Sequence, residues 1–313
     1  MKPLELTACS DAHHVRYLSC TIPPAGDGMA LGVWMRRCLG LSAGLIQRVK
    51  YLEDGILLND RRAATNVRVR QGQQLRVRLS DTRRRSDIPP SPGAVRLLYE
   101  DDDLLVADKP AGLAVHPGVG HWADTLGGRL LAYYDSRQIP ADFHPVHRLD
   151  KGTSGAMVVA KHAYAQEKLR RRLHTPAFSR AYLAVCDGAP PREQGCINLP
   201  IARAADSMIR QEIRADGAPA CTEYQVLRQC AGRTLLRLHL TTGRTHQIRV
   251  HMAALGCPLT GDFLYGTENQ ALISRPALHA HMLSFLHPIT GRTMLFALPL
   301  PEDMAALLTG GKP

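Results

Sequence analysis

Residues 147–161 read HRLDKGTSGAMVVAK. The second half is a short apolar run, AMVVAK, that begins at a Thr-Ser-Gly turn and ends at Lys161, which is the pattern of a strand packed in a sheet. The first half places an imidazole (His147), a guanidinium (Arg148) and a carboxylate (Asp150) within four residues. Asp150, Thr153 and Ser154 could serve only the backbone N–H groups of the turn, as Asx and Ser/Thr turns do. On composition alone that is the favoured reading, and presentation of a carboxylate for chemistry is the other.

Working outward, further strand patterns occur at 95–110 (VRLLYEDDDLLVADKP), 181–188 (AYLAVCDG), 234–243 (TLLRLHLTTG) and 293–301 (TMLFALPLP), with helical spacing at 162–173 and 245–255. Strands in succession with few helices between them predict an α+β domain over 94–313, with a mixed, largely antiparallel central sheet. Residues 81–93, DTRRRSDIPPSPG, have no apolar periodicity and read as a linker. Before it, residues 1–80 predict a small basic α+β module. A strand lies at 15–24, one helix follows from Ala30 to about Gly40, and Ser42 caps a second helix that projects Arg48 and Lys50. Short strands then surround a turn at Asn59-Asp60. The alternation of Arg68, Arg70, Arg76 and Arg78 with Val and Leu predicts one packed face and one face of guanidinium groups.

Charge follows this division. The chain carries 39 Lys and Arg against 28 Asp and Glu, a net +11, and residues 1–85 hold 15 basic and 7 acidic side chains. Arg supplies 32 of the cations, and its planar fork suits phosphate, so a polyanion is the expected partner. The eight cysteines form no C-x-x-C pair, which argues against a zinc site or disulfide framework and for reduced thiols in a cytoplasmic protein. No apolar run approaches the roughly 20 residues of a membrane span.

A second concentration of functional groups is TTGRTHQIRVHM at 241–252, where Arg244, His246, Arg249 and His251 follow a strand and a Gly turn at the start of a helix. His246 and His251 are five residues apart and diverge by about 140° around a helix, so they do not chelate a metal. Anchoring of a phosphate or carboxylate is the better reading, helped by the partial positive charge of a helix N-terminus. Arg170, Arg171 and Arg172, followed by Arg180, form a basic patch open to solvation or to phosphate contact. His279, His281 and His287 lie close together, with no carboxylate or thiolate spaced to complete a metal site. Gly118, Gly120 and Ala123 match the dinucleotide fingerprint in letters, but no strand runs directly into them. No metal or cofactor is therefore expected.

Taken together, HRLDKGTSG, LLYEDDDLLVADKPAGLAVHPG, AYLAVCDG, TGRTHQIRVHMAALGCPLTGD and LHAHMLSFLHP resemble, in order, the motifs of the RluA/RluD-type RNA pseudouridine synthases. The N-terminal module resembles the S4-like RNA-binding domain often fused to them. The resemblance implies an isomerase that converts uridine to pseudouridine within structured RNA, without a cofactor and as a monomer, with ribosomal RNA favoured over transfer RNA. A non-catalytic RNA-binding protein is the alternative from another class. By the same resemblance Asp150 is the catalytic aspartate, acting as nucleophile at C1′ or C6 or as the base that forms a glycal. Arg148 braces the space left by a flipped nucleotide. Tyr182 stacks on the base and relays the C5 proton, and Arg249 pairs with the catalytic carboxylate. His147, Leu149, Thr153, Arg244 and His246 support the turn or hold RNA, Leu283 and Leu286 wall the uracil pocket, and Arg48 and Lys50 contact RNA from the N-terminal module. Position 152 is Gly where many members have Asp, and position 180 is Arg where Lys is frequent.

Overall fold

The computed structural model describes residues 6–11, 15–118 and 124–309. The dinucleotide-like pattern at Gly118–Gly120–Ala123 therefore lies largely outside the described residues. In the N-terminal part the chain forms β1 (Thr7–Ser10), β2 (Arg16–Thr21), α1 (Leu31–Cys38), α2 (Ala43–Val49), β3 (Ile56–Leu58), β4 (Arg61–Arg62) and β5 (Gln74–Arg78). The strands make an antiparallel sheet ordered β1-β2-β5-β3-β4. Leu31, Trp34 and Met35 of α1 and Leu45 and Val49 of α2 pack on Leu18, Ile56 and Val77 of the sheet. Ser42 caps α2 by accepting the Leu45 N–H at 3.2 Å. Asn59 and Asp60 both adopt left-handed φ angles, of 50° and 59°, as a two-residue hairpin turn requires.

The guanidinium face is less open than alternation suggests. Arg68 and Arg70 lie in a loop rather than in a strand, bonded to the Gly28 carbonyl at 2.8 Å and to Asp27 at 3.7 Å. Arg76 stacks over Tyr17, and Arg78 pairs with Asp54. These cations hold their own module together.

The larger part contains β6 (Arg96–Glu100), β7 (Leu104–Lys109), α3 (Leu126–Ser136), β8 (His144–Pro145), β9 (Ser154–Ala160), α4 (Ala163–Arg170), β10 (Phe178–Asp187), β11 (Gln194–Asn198), β12 (Ile201–Arg203), β13 (Gln211–Ile213), β14 (Cys221–Cys230), β15 (Arg233–Leu240), α5 (Gln247–Ala254), β16 (Leu278–Leu286), β17 (Thr293–Ala297) and α6 (Glu302–Ala306). Ten strands form one mixed sheet along the path β11-β14-β15-β10-β16-β9-β7-β6, with β17 on β16 and β8 on β9, while β12 and β13 form a separate ribbon. Only the β9–β16 pairing is parallel among the described strands. The period of two divides β7 and β9 cleanly. Leu105, Ala107, Met157 and Val159 join one core and Leu104, Val106, Val158 and Ala160 the other, so β9 is buried on both faces. Among the described residues no helix is long and apolar enough to cross a membrane.

Helix α3, strand β14 and the β12–β13 ribbon are absent from the sequence expectation. In α3 the pair Gly127-Gly128 obscures the helical pattern, and its purpose is close packing. A Cβ on Gly128 would come within 2.5 Å of Ser91 Oγ and 2.8 Å of the Pro89 carbonyl. Residues 81–93 are thus a strap laid along the larger sheet, not a loose tether. Asp81 meets His144 at 2.6 Å, the Arg85 and Ser86 N–H groups donate to Asp142, and the Ser91 N–H donates to the Gly128 carbonyl.

The two sheets are joined by ions as well. Arg16 of β2 grips Asp103 with Nε and Nη2, at 2.8 and 2.7 Å, and Asp103 also receives His162 at 3.1 Å. Burial by itself would raise the Asp103 pKa, but the hydrogen bonds from His162 and Arg16 hold it far below the usual carboxylate range. Tyr164 extends the contact, donating to the Leu39 carbonyl at 2.9 Å from within the N-terminal core. Because the Asp103 side chain is 2% exposed and its removal strands the Arg16 guanidinium and the buried His162 ring, Asp103→Ala should lower stability by about 3–5 kcal/mol. The measurement is a urea midpoint at unchanged slope, and a loss under 1 kcal/mol would contradict this role for the ion pair.

Candidate active site

The 147–153 loop leads into β9 and is held there by backbone geometry. Gly155 has φ of 115°, and a Cβ on it would lie 2.3 Å from the Ala280 carbonyl, so only glycine allows β9 to run this close to β16. A Cβ on Gly152 would come to 3.0 Å from Pro276, which shows how tightly the smaller residue at this position is packed here. The turn closes through the main chain, with the Thr153 N–H donating to the Asp150 carbonyl at 3.1 Å. The Asp150 side chain is left to line a cavity of about 180 Å³ together with Arg148, Tyr182, Arg180, His246 and Arg249.

Tyr182 reaches this cavity from β10 at a register shift. Its ladder to β16 skips between Ala181 and Leu183, while its pairing with Leu238 of β15 is regular. Such an irregularity beside a site re-aims a side chain. Burial raises the Tyr182 pKa, so the phenol stays protonated and able to donate. Leu149 is core, Thr153 is buried and borders the cavity, and Arg148 is exposed at its edge. His147 is also enclosed. Burial, with the nearby Arg180 charge, depresses its pKa to about 3, and Nε2 accepts the Val158 N–H at 3.4 Å. It is therefore a neutral structural imidazole rather than a cation for RNA.

Arg249 corrects an expectation. Its Nε and Nη2 bond Asp262 at 2.7 and 2.6 Å, not Asp150, and both partners are buried. Asp150 acts on Arg249 only through its field. The guanidinium lies 5.0 Å over the Tyr265 ring, and the Tyr265 hydroxyl meets His246 Nδ1 at 2.8 Å while accepting the Gln211 N–H. His246 itself adopts a left-handed φ of 55° as α5 begins. Arg244 is exposed, with Nε on the Pro219 carbonyl. Gln247 is buried and ties the turn through Thr222, Thr242 and the Cys221 carbonyl. His251 is fully buried between Thr222 and the Leu199 carbonyl and faces no ligand.

The apolar wall is also different from expectation. Leu283 belongs to the core on the opposite face of the sheet, and Leu286 caps the far end of β16, where its carbonyl accepts from Arg172. Leu240, Ile248 and Leu278 line the cavity instead. Arg48 and Lys50 lie at the C-terminal end of α2, apart from it, with Lys50 over the Tyr51 ring. Each histidine of the late trio is engaged: His279 with Ser154, His281 with the Leu298 carbonyl and His287 with Asp101. Asp101, Asp103 and His287 approach metal-ligand spacing, but Asp103 already serves Arg16 and His162, and the cluster sits at the junction of the sheets.

A residue absent from the sequence reading supports the loop. Lys109, fully buried at the end of β7, donates to the carbonyls of Pro110, Leu113 and Lys151, the last being the residue after Asp150. Burial pushes its pKa down to about 7, while the Asp150 charge acts to raise it. The unfolded chain therefore keeps a lysine proton between about pH 7 and 10.5 that the folded chain sheds, so stability should climb with pH in that window. Urea midpoints from pH 7 to 10 should rise more in the wild type than in Lys109→Met, and identical pH profiles would exclude this titration.

Comparison with known proteins agrees with the geometry. The family described as RNA pseudouridylate synthase matches residues 103–254. An uncharacterized RNA pseudouridine synthase of Bacillus subtilis, YjbO, is 36% identical over 272 residues, covering 87% of this chain and 96% of its own. The ribosomal large subunit pseudouridine synthase D of Nitrosomonas europaea is 39% identical over 267 residues, covering 82% of this chain and 77% of its own. Among solved structures, human RNA pseudouridylate synthase domain containing 1 superimposes with a TM-score of 0.54 at 25% identity, over 71% of this chain and 99% of that one. With a mixed-sheet fold shared and relatives of this similarity along most of its length, the chain belongs to the RNA pseudouridine synthases, the isomerases that convert uridine to pseudouridine in RNA.

Proposed function

We propose that Asp150 is the catalytic carboxylate and that the substrate is a uridine in large-subunit ribosomal RNA, held in part by the N-terminal module acting as an S4-like RNA-binding domain. The observation that carries the reading is the shared cavity of Asp150 and Tyr182, in which the turn is satisfied by the Asp150 carbonyl. The reaction breaks C1′–N1, joins C1′ to C5, releases the C5 proton and returns a proton to N1. A carboxylate that is not consumed by its own turn can attack C1′ or C6, or remove a ribose proton to give a glycal.

The target must leave its stack to reach the cavity. Exposed Arg148 at the edge is placed to occupy the vacated space, and buried Tyr182 offers a flat face for the uracil and a hydroxyl for the C5 proton. Arg249 supports the site indirectly, as a link in the Asp262–Arg249–Tyr265–His246 chain, and leaves the Asp150 oxygens unbonded. Bacterial relatives named for the ribosomal large subunit favour ribosomal over transfer RNA as the substrate.

Release of tritium from [5-³H]uridine-labelled ribosomal RNA reports the chemistry directly. Asp150→Asn should lose at least about 10²–10⁴-fold in rate while binding the same RNA, and an active variant would remove Asp150 from this role. Labelled transfer RNA in a parallel reaction separates the two substrate classes. Failure of the wild type on both would leave only the RNA-binding reading.

For the N-terminal module, the arginines that converge at the strap decide the matter. Arg48, Arg83 and Arg85 border one small cleft between α2 and residues 79–85. Replacing all three with Gln should reduce the slope of log K against log salt by about 2–3 if each meets a phosphate. An unchanged slope would assign RNA affinity elsewhere.

A further inference from the structure

Arg180 is a buried cation that meets no carboxylate among the described residues. It is 7% exposed, borders the same cavity as Asp150, and its Nη2 has no hydrogen-bond partner. The other arginines of the cavity are accounted for: Arg249 is paired with Asp262, Arg244 is held by the Pro219 carbonyl, and Arg148 is exposed to water. Sequence spacing groups Arg180 with Arg170, Arg171 and Arg172, yet the fold separates them. Arg171 pairs with Glu167 on α4 and Arg172 bonds the Leu286 carbonyl, whereas Arg180 sits within β10, two residues before Tyr182.

Two contacts fix where its fork points. The guanidinium lies 6.0 Å over the Phe178 ring, and its charge acts on the Tyr182 phenol beside it, so one side is committed to the protein. The other side faces the 241–245 loop, where a Cβ on Gly243 would stand 3.7 Å from both Nη1 and Nη2. Gly243 and the adjoining His174 are exposed, so the free end of the fork looks toward the mouth of the cavity rather than its floor. A side chain at 243 would stand against that end, whereas glycine leaves only a thin cover over Nη2.

An unpaired charge taken out of water is unfavourable unless a partner arrives. Uracil and ribose are neutral, and the anion that RNA brings to the mouth of such a cavity is its phosphodiester, whose oxygens match the guanidinium fork. We propose that Arg180 anchors the phosphate flanking the uridine that enters the cavity, with its guanidinium fork turning to donate to a non-bridging oxygen. This rests on the cavity being the uridine site. It makes the enzyme select a nucleotide within a chain over a free nucleoside, and it couples phosphate capture to Tyr182 through the shared guanidinium.

Full-length protein is titrated with uridine, uridine 3′-monophosphate and uridine 5′-monophosphate, and affinities are read by calorimetry or by NMR of the bound nucleotide. In the wild type at least one monophosphate should bind about tenfold tighter than uridine, the worth of one charge-assisted hydrogen bond. Arg180→Gln should abolish that preference and leave uridine affinity within about twofold, while Arg180→Lys keeps a preference of at least about threefold. Thermal unfolding checks that each variant is folded. If neither folds, equal affinity of the wild type for uridine and both monophosphates overturns the proposal. A phosphate preference that survives in folded Arg180→Gln also overturns it, as does loss of uridine affinity with the preference intact, which would place the guanidinium on the base. Failure of the Asp150 reading is seen separately, because tritium release by Asp150→Asn leaves the phosphate preference untouched.

Discussion

The parallel pairing of β9 with β16 is the contact on which the site depends. Ser154 stands opposite His279 and Gly155 opposite Ala280, and through these two positions the β7–β9 half of the sheet meets the half that carries β10 and β15. The pairing puts the Asp150 loop, which ends at Ser154, beside Leu278, which begins β16, and β10 on the other side of β16 brings in Tyr182. Arg275 secures the connection by binding the carbonyls of Gly152 and Leu278 while paired with Asp303. The carboxylate and the tyrosine are 32 residues apart in sequence, and a glycine that tolerates a carbonyl where a methyl group would clash is what lets them share a cavity.

Around that junction the neighbouring cations are bonded to groups other than the Asp150 oxygens. A cation so close to a carboxylate usually forms a closed ion pair, and Arg249 does so with Asp262 instead. Lys109 spends its protons on three carbonyls. The Asp150 charge is felt by both groups across space, and neither occupies its oxygens. Under the proposal that Asp150 is the catalytic carboxylate, a direct Arg249–Asp150 bridge would have to be broken or shared whenever that carboxylate approached a ribose or a base, and the Asp262 arrangement avoids that step.

Asp150, Tyr182 and the turn that follows Asp150 are legible in sequence because motif and strand pattern coincide there, and the buried run AMVVA needs no long-range knowledge to be read as a strand. The partner of Arg249 is not legible, since Asp150 and Asp262 are both carboxylates and chain order does not say which one lies within 3 Å. Alternation alone puts Leu278 and Leu283, an odd number of residues apart, on opposite faces of β16, but the identity of the pocket face depends on which helices cover it. Helix α3 is hidden by its glycines, and the strap at 81–93 by its polarity. In both cases the residues that look like loop signals are the ones that permit close packing between these two segments. Lys109 carries no signal at all until the Lys151 carbonyl is seen beside it.

The net charge of +11 takes a more specific meaning from the structure. Several of the N-terminal arginines that inflate it are internal fasteners: Arg16 to Asp103, Arg78 to Asp54, Arg68 to the Gly28 carbonyl. Their number therefore overstates the field available to a polyanion, and the sheet-to-sheet ion pairs rigidify the module against the catalytic part. A tethered domain would add affinity wherever its linker could reach, whereas a docked one adds it only for RNA whose shape spans both surfaces at once. If the proposed roles hold, selection of a uridine by the fold of its surroundings follows from that rigidity, because the arginines at the strap and the Asp150 cavity are held at a fixed separation and only structured RNA can satisfy both.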